Sequence, residues 1–166
     1  MPFKIDEQVV YPAFGIGRVA ALVTKRFQEA ESQIYYEVTG DRSTVWVQVD
    51  ESAARGLRRL TRPDELAHYR DVVGGRPVSL NQDHRQRQLE LRGQFKLGTM
   101  QSLCEMVRDL SARGWVKPLN EMDSRSLRMS REAICEEWAA TENVPLPQAT
   151  AELAELLLEG RHKFQA

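Results

Sequence analysis

The sequence is short of several things that would define common protein classes. It has two cysteines, Cys104 and Cys135, and the opening Met1-Pro2-Phe3-Lys4-Ile5-Asp6 has no apolar signal segment, so reduced thiols and a cytoplasmic location are expected rather than a disulfide scaffold. No apolar run approaches the roughly 18 residues that a membrane helix needs. His68, His84 and His162 are scattered, neither cysteine has a CxxC partner and no HExxH occurs, so no metal centre or cofactor is expected. The adjacent acidic pairs Glu136-Glu137 and Asp50-Glu51 diverge on a helix or strand and cannot flank one bond, which removes the obvious general acid and base. No enzyme activity and no small-molecule substrate are expected.

What is present is enough for a core. Of 166 residues, 42% are hydrophobic and 28% charged, with 23 Lys plus Arg against 24 Asp plus Glu. The near balance hides an asymmetry. Residues 76–131 hold eleven basic side chains against six acidic, a local charge of +5, whereas residues 132–166 hold two against seven, or −5. The middle segment is the one that would face a polyanion.

From Gln8 to about Leu60, β-branched and aromatic residues cluster in short runs: Val9-Val10-Tyr11, Arg18 to Val23, Ile34 to Val38 and Thr44 to Val49. Turn-forming residues separate them, and this spacing predicts a small antiparallel barrel. In the last run Val45, Val47 and Val49 share one face, so Trp46 and Gln48 point the other way. Gly15-Ile16-Gly17-Arg18-Val19-Ala20, with Glu37 about 20 residues on, fits a loose dinucleotide-binding pattern. Pro12 beside the strand and the lack of later strands favour glycines serving a tight antiparallel turn instead.

After Leu60 the pattern becomes helical. Pro63-Asp64-Glu65 opens a stretch that Gly74-Gly75 ends, and further helices are expected at about 82–95, 99–113, 121–141 and 148–160. Met100, Leu103, Cys104, Val107 and Leu110 form one apolar stripe behind the cap candidate Thr99, and Asn120 with Asp123 marks the next start. The expected architecture is therefore α+β with two domains: a barrel over 1–62, a helical linker over 63–78, and an all-α domain over 79–160. On the first long helix Arg85, Arg92 and Lys96 share a face able to follow a phosphate backbone, with His84 and Arg87 close by.

The opening Phe3-Lys4-Ile5-Asp6-Glu7-Gln8-Val9-Val10-Tyr11-Pro12-Ala13-Phe14-Gly15-Ile16-Gly17-Arg18-Val19 resembles the start of the CarD/CdnL family of bacterial transcription regulators, F-x-V-G-D-x-V-V-Y-P-x-x-G-x-G-x-V. Thr44 to Val49 followed by Gly56-Leu57-Arg58-Arg59-Leu60 is similar to the family's last barrel strands, Val107-Arg108-Asp109-Leu110 to its V-V-R-D-L helix, and Leu119 to Glu137 to its L-S-x-x-E helix. The resemblance covers about residues 1–140. It implies a Tudor-like barrel, similar to the polymerase-interacting module of the transcription-repair coupling factor, that binds the RNA polymerase β subunit. It also implies a helical domain that contacts promoter DNA at the upstream edge of the bubble and stabilises the open complex, with nucleoid association through the polymerase.

Carried over by position, Lys25, with Arg26 beside it, stands at a basic polymerase contact, and Trp46 stands where a second basic contact is usual. Gln48 replaces the family's proline and restores an N–H donor to that strand. Arg85 and Arg87 fall in the family's basic stretch, continued by Arg92 and Lys96, while Leu80 or His84 stands near the family's wedge tryptophan. The alternative is an adaptor whose helical domain contacts a protein rather than DNA.

Overall fold

The computed structural model describes residues 2–29 and 31–165, which divide into two compact units, residues 1–60 and residues 61–166. The first unit contains strands β1 (Gln8–Tyr11), β2 (Gly15–Lys25), β3 (Gln33–Thr39), β4 (Thr44–Gln48) and β5 (Arg58–Arg59). Every pairing is antiparallel, in the order β4-β3-β2-β1-β5. β4 and β5 remain at opposite edges, so the sheet is open where a closed barrel was expected. Closure needs tilt and stagger among all strands together, and β5 supplies only two residues.

The glycine pattern is a hairpin device. Tyr11 pairs with Gly15 across the turn, where Ala13 (φ 67°) and Gly15 (φ 102°) adopt left-handed backbone. A Cβ on Gly17 would lie 2.7 Å from Val38 Cγ1, so glycine there lets β2 close against β3. A bulge between Val19 and Ala21 shifts the β2 alternation. Val19, Tyr36, Val38 and Val47 consequently join Phe3, Val9 and Leu57 in the core of this unit.

The second unit is helical: α1 (Leu66–Val73), α2 (His84–Leu97), α3 (Met100–Val116), α4 (Glu121–Glu142) and α5 (Leu146–Phe164). Asp83, Thr99 and Asn120 each cap a helix by accepting from the backbone N–H three residues on. α3 packs against the other four helices, and its stripe Met100, Leu103, Cys104, Val107 and Leu110 is buried with Ile134, Trp138 and Leu153. Leu66 and Val73 of α1 lie in the same core. Trp138 donates from Nε1 to Glu152 Oε2 at 3.0 Å, so its one polar atom is satisfied inside. Buried Glu137 accepts from Thr61 N (3.0 Å) and Thr61 Oγ1 (2.5 Å), and Asp109 accepts from Val78 N (2.9 Å), which ties irregular backbone to α4 and α3.

No helix among the described residues is long and apolar enough to cross a membrane. Both cysteines are buried and neither is in a disulfide, and burial pushes the Cys135 thiol up, away from the reactive thiolate. Neither thiol is expected to react with a thiol-specific reagent in buffer near neutral pH, and both are expected to react once urea unfolds the chain. Colorimetric thiol counting across a urea series checks this.

Candidate interaction surfaces

The outer face of the sheet is built by register. Glu37 pairs with Trp46 and Tyr35 with Gln48, while Val23 and Lys25 stand opposite Tyr35 and Gln33. All these side chains leave the sheet on the side away from its core. Trp46 is 41% exposed and donates from Nε1 to Glu37 Oε1 at 3.2 Å. Lys25 Nζ sits 3.4 Å from the Trp46 ring centroid, a cation–π contact, and 6.0 Å from that of exposed Phe27. Phe27 packs edge-on to Tyr35 at 5.7 Å, and Gln48 Nε2 donates to Gln33 Oε1 at 3.1 Å.

Lys25, Trp46 and Gln48, separate in sequence, thus meet on one face, and Arg26 follows them exposed at the end of β2. Sequence reading missed Tyr35 and Phe27 as members of this face. Tyr35 was legible from alternation, since Tyr36 and Val38 claim the core side of β3. An aromatic surface with one bound cation and an acidic group has the makeup of a protein-binding patch.

On the helical unit the expected DNA stripe separates into two environments. Arg85, Arg92 and Lys96 are exposed on one side of α2. Leu89, at the intervening position of the same stripe, is 51% exposed, and Met122 of α4 lines a shallow groove with Arg85, Leu89 and Arg92. The i, i+4, i+7, i+11 spacing of residues 85, 89, 92 and 96 could have flagged Leu89. Nothing local in the sequence marks Met122.

Arg87 corrects the expectation. It is 2% exposed, and its guanidinium is engaged inward. Nε meets both oxygens of Asp123 at 3.2 Å, Nη1 donates to the carbonyls of Asn81 (3.0 Å) and Gln82 (3.3 Å), and Nη2 lies 3.1 Å from His84 Nδ1. Asp123, 1% exposed, also accepts from Gln88 Nε2 at 2.6 Å and meets Arg113 Nε at 3.3 Å. A desolvated cation is retained only with such a complete partner set, so Arg87 builds the unit and does not reach a nucleic acid. The two positions considered for a wedge are also engaged: Leu80 packs on the helical core, and His84 turns Nδ1 to Arg87 and Asn120.

Taken together, an open sheet with an aromatic–cation outer face, followed by a helical unit with a basic, partly apolar face, has the makeup of a two-part binding protein. Residues 3–61 match the family model for the CarD-like/TRCF RID domain, an RNA polymerase-interacting domain. Over 136 residues the chain is also 26% identical to YdeB of Bacillus subtilis strain 168, named as a candidate transcription factor. That alignment spans 81% of this chain and 89% of the relative.

Replacing Arg87 by Ala leaves the buried Asp123 carboxylate with Arg113 and Gln88 alone and removes the donor to the carbonyls of Asn81 and Gln82. It is expected to cost about 3 kcal/mol, the lower end for breaking a buried pair, whereas Arg85→Ala is expected to stay within about 0.5 kcal/mol. Urea unfolding of the two variants beside the parent measures both. Equal stabilities would contradict the assignment of Arg87.

Proposed function

We propose that this chain is a transcription regulator that holds the RNA polymerase β subunit through the outer face of its sheet and promoter DNA near the upstream edge of the bubble through its helical unit. The observation that carries the reading is the Lys25–Trp46–Tyr35 surface on a domain whose family is polymerase-interacting. Trp46 replaces an expected cation with a ring that fixes Lys25 above it, so charge is still offered there from a preorganised position.

The helical unit offers DNA two kinds of contact. Arg85, Arg92 and Lys96 are placed to neutralise phosphates. Leu89 and Met122 beside them supply exposed apolar groups of the kind that minor-groove proteins wedge between bases. A chain that binds polymerase and the melted junction together shifts the closed-to-open equilibrium by its differential affinity for the open state, and needs no chemistry to do so. Each contact can be weak, because the second becomes intramolecular once the first is made.

Two measurements test the halves separately. In capture of polymerase by the full chain, Trp46→Ala and Lys25→Glu are each expected to weaken binding about tenfold or more, the scale of a loss at an interface anchor, with unchanged thermal unfolding. Retained capture by both variants would remove the sheet face from the interface. For the DNA half, affinity for a forked promoter duplex is measured at several salt concentrations. The double variant Arg85→Ala/Arg92→Ala is expected to flatten the slope of log K against log salt by about 1.8, at ~0.9 per phosphate contact. An unchanged slope would turn the reading toward an adaptor whose helical unit meets a protein.

A further inference from the structure

We propose that the helical unit holds a phosphate-binding pocket where the N-terminal ends of α2 and α4 meet the C-terminal end of α3, with Arg113, Lys117 and His84 as its donors. The cavity measures about 410 Å³. Its walls carry three cations, Arg87, Arg113 and Lys117, against a single carboxylate, Asp123. Arg87 is compensated, since its Nε meets both oxygens of that carboxylate. Arg113 reaches the same Oδ2 at 3.3 Å and so shares a charge already taken. Lys117 is exposed and forms no ion pair among the described residues. Two positive charges thus stand in excess over a floor of buried groups, where fields are weakly screened.

The hydrogen-bond pattern has the same sense. His84 Nδ1 lies 3.1 Å from Arg87 Nη2 and 3.4 Å from Asn120 Nδ2, both donor groups, so Nδ1 accepts and the ring hydrogen resides on Nε2. His84 lines the cavity, and so does Gln82, whose amide adds further donors. The helix starts do not themselves provide the site, because Asp83 and Asn120 already cap them. Affinity rests on His84 at the start of α2, on Arg113 near the end of α3, which shares Asp123 with Arg87, and on Lys117 just past that end, which pairs with no carboxylate among the described residues. A doubly charged tetrahedral anion with several acceptor oxygens matches that set better than a planar monoanion, and Arg is suited to engaging it through more than one N–H.

The phosphate group could come from a nucleic-acid backbone or from a soluble phosphate compound. The backbone source rests on the DNA reading above, whereas the pocket does not. The test uses the full chain, titrated with inorganic phosphate and then pyrophosphate at constant ionic strength, with backbone amides followed by NMR. Saturating shifts centred on Gln82, His84, Lys117 and Asn120 are expected. Lys117→Ala, a surface change that leaves the Arg87–Asp123 pair untouched, is expected to weaken binding about tenfold, the loss of one charge-assisted contact. Absence of saturation, equal binding by Lys117→Ala, or shifts that follow Arg85 and Arg92 instead would overturn the pocket.

A second arm asks the source. If Lys117→Ala also lowers the salt slope for forked DNA by about 0.9, the pocket takes a backbone phosphate. If that slope is unchanged while phosphate still binds the parent chain, the ligand is a soluble phosphate compound and the pocket stands. Loss of the DNA reading with phosphate binding intact is thereby distinguished from loss of the pocket.

Discussion

The helical unit turns on one buried carboxylate. Asp123 gathers Arg87 and Gln88 from α2 and Arg113 from α3 at the first turn of α4, and Arg87 in turn reaches the carbonyls of Asn81 and Gln82. The core between these helices is apolar, and apolar packing tolerates small slides because it has no direction. Charge-assisted hydrogen bonds have direction, and here they bring three helix ends to a common point. The rotation of α2 follows from them. With Arg87 turned inward, the helical step of about 100° per residue sends Arg85 and Arg92 outward, so the inner pair sets where the outer cations point.

The sheet unit reaches a comparable result by different means. The bulge between Val19 and Ala21 resets the alternation of β2, which places Val19 in the core and still leaves Lys25 on the outer face with Trp46. Without the extra residue, one end of the strand or the other would present the wrong side. Trp46 is then held from two directions, by Glu37 along its edge and by Lys25 over its face. Such a ring has little rotamer freedom left to lose when a partner covers it.

How much of this was legible in the sequence depended on the range of the cause. The strands, the outward Trp46 and the caps at Thr99 and Asn120 come from alternation and short-range hydrogen bonding, and these were readable. Helix ends were less so. α3 runs to Val116, three residues past its expected end, because Gly114 packs beside Leu119 and the stop is set by Lys117-Pro118. α5 starts two residues before its expected position because Pro147 sits in the first turn, where its missing N–H is not needed. The open sheet and the burial of Arg87 were not readable at all. Closure is a property of the whole sheet, and Arg87 is turned inward by Asp123, 36 residues away. On the surface, the stripe of residues 85, 89, 92 and 96 was present in the spacing, but its companion Met122 comes from another helix.

The strand order also has a kinetic side. β1 to β4 form successive hairpins, each pairing neighbours along the chain, whereas β5 must bring Arg58 and Arg59 back to Val10 and Val9. Loops of that length close slowly and gain little from two residues of ladder. During synthesis the four-strand meander would therefore form first, with the Val9–Val10 edge of β1 left unpaired until residue 59 has emerged. For that interval the nascent chain carries an open strand edge next to its own core, the condition under which chains pair with the wrong neighbour.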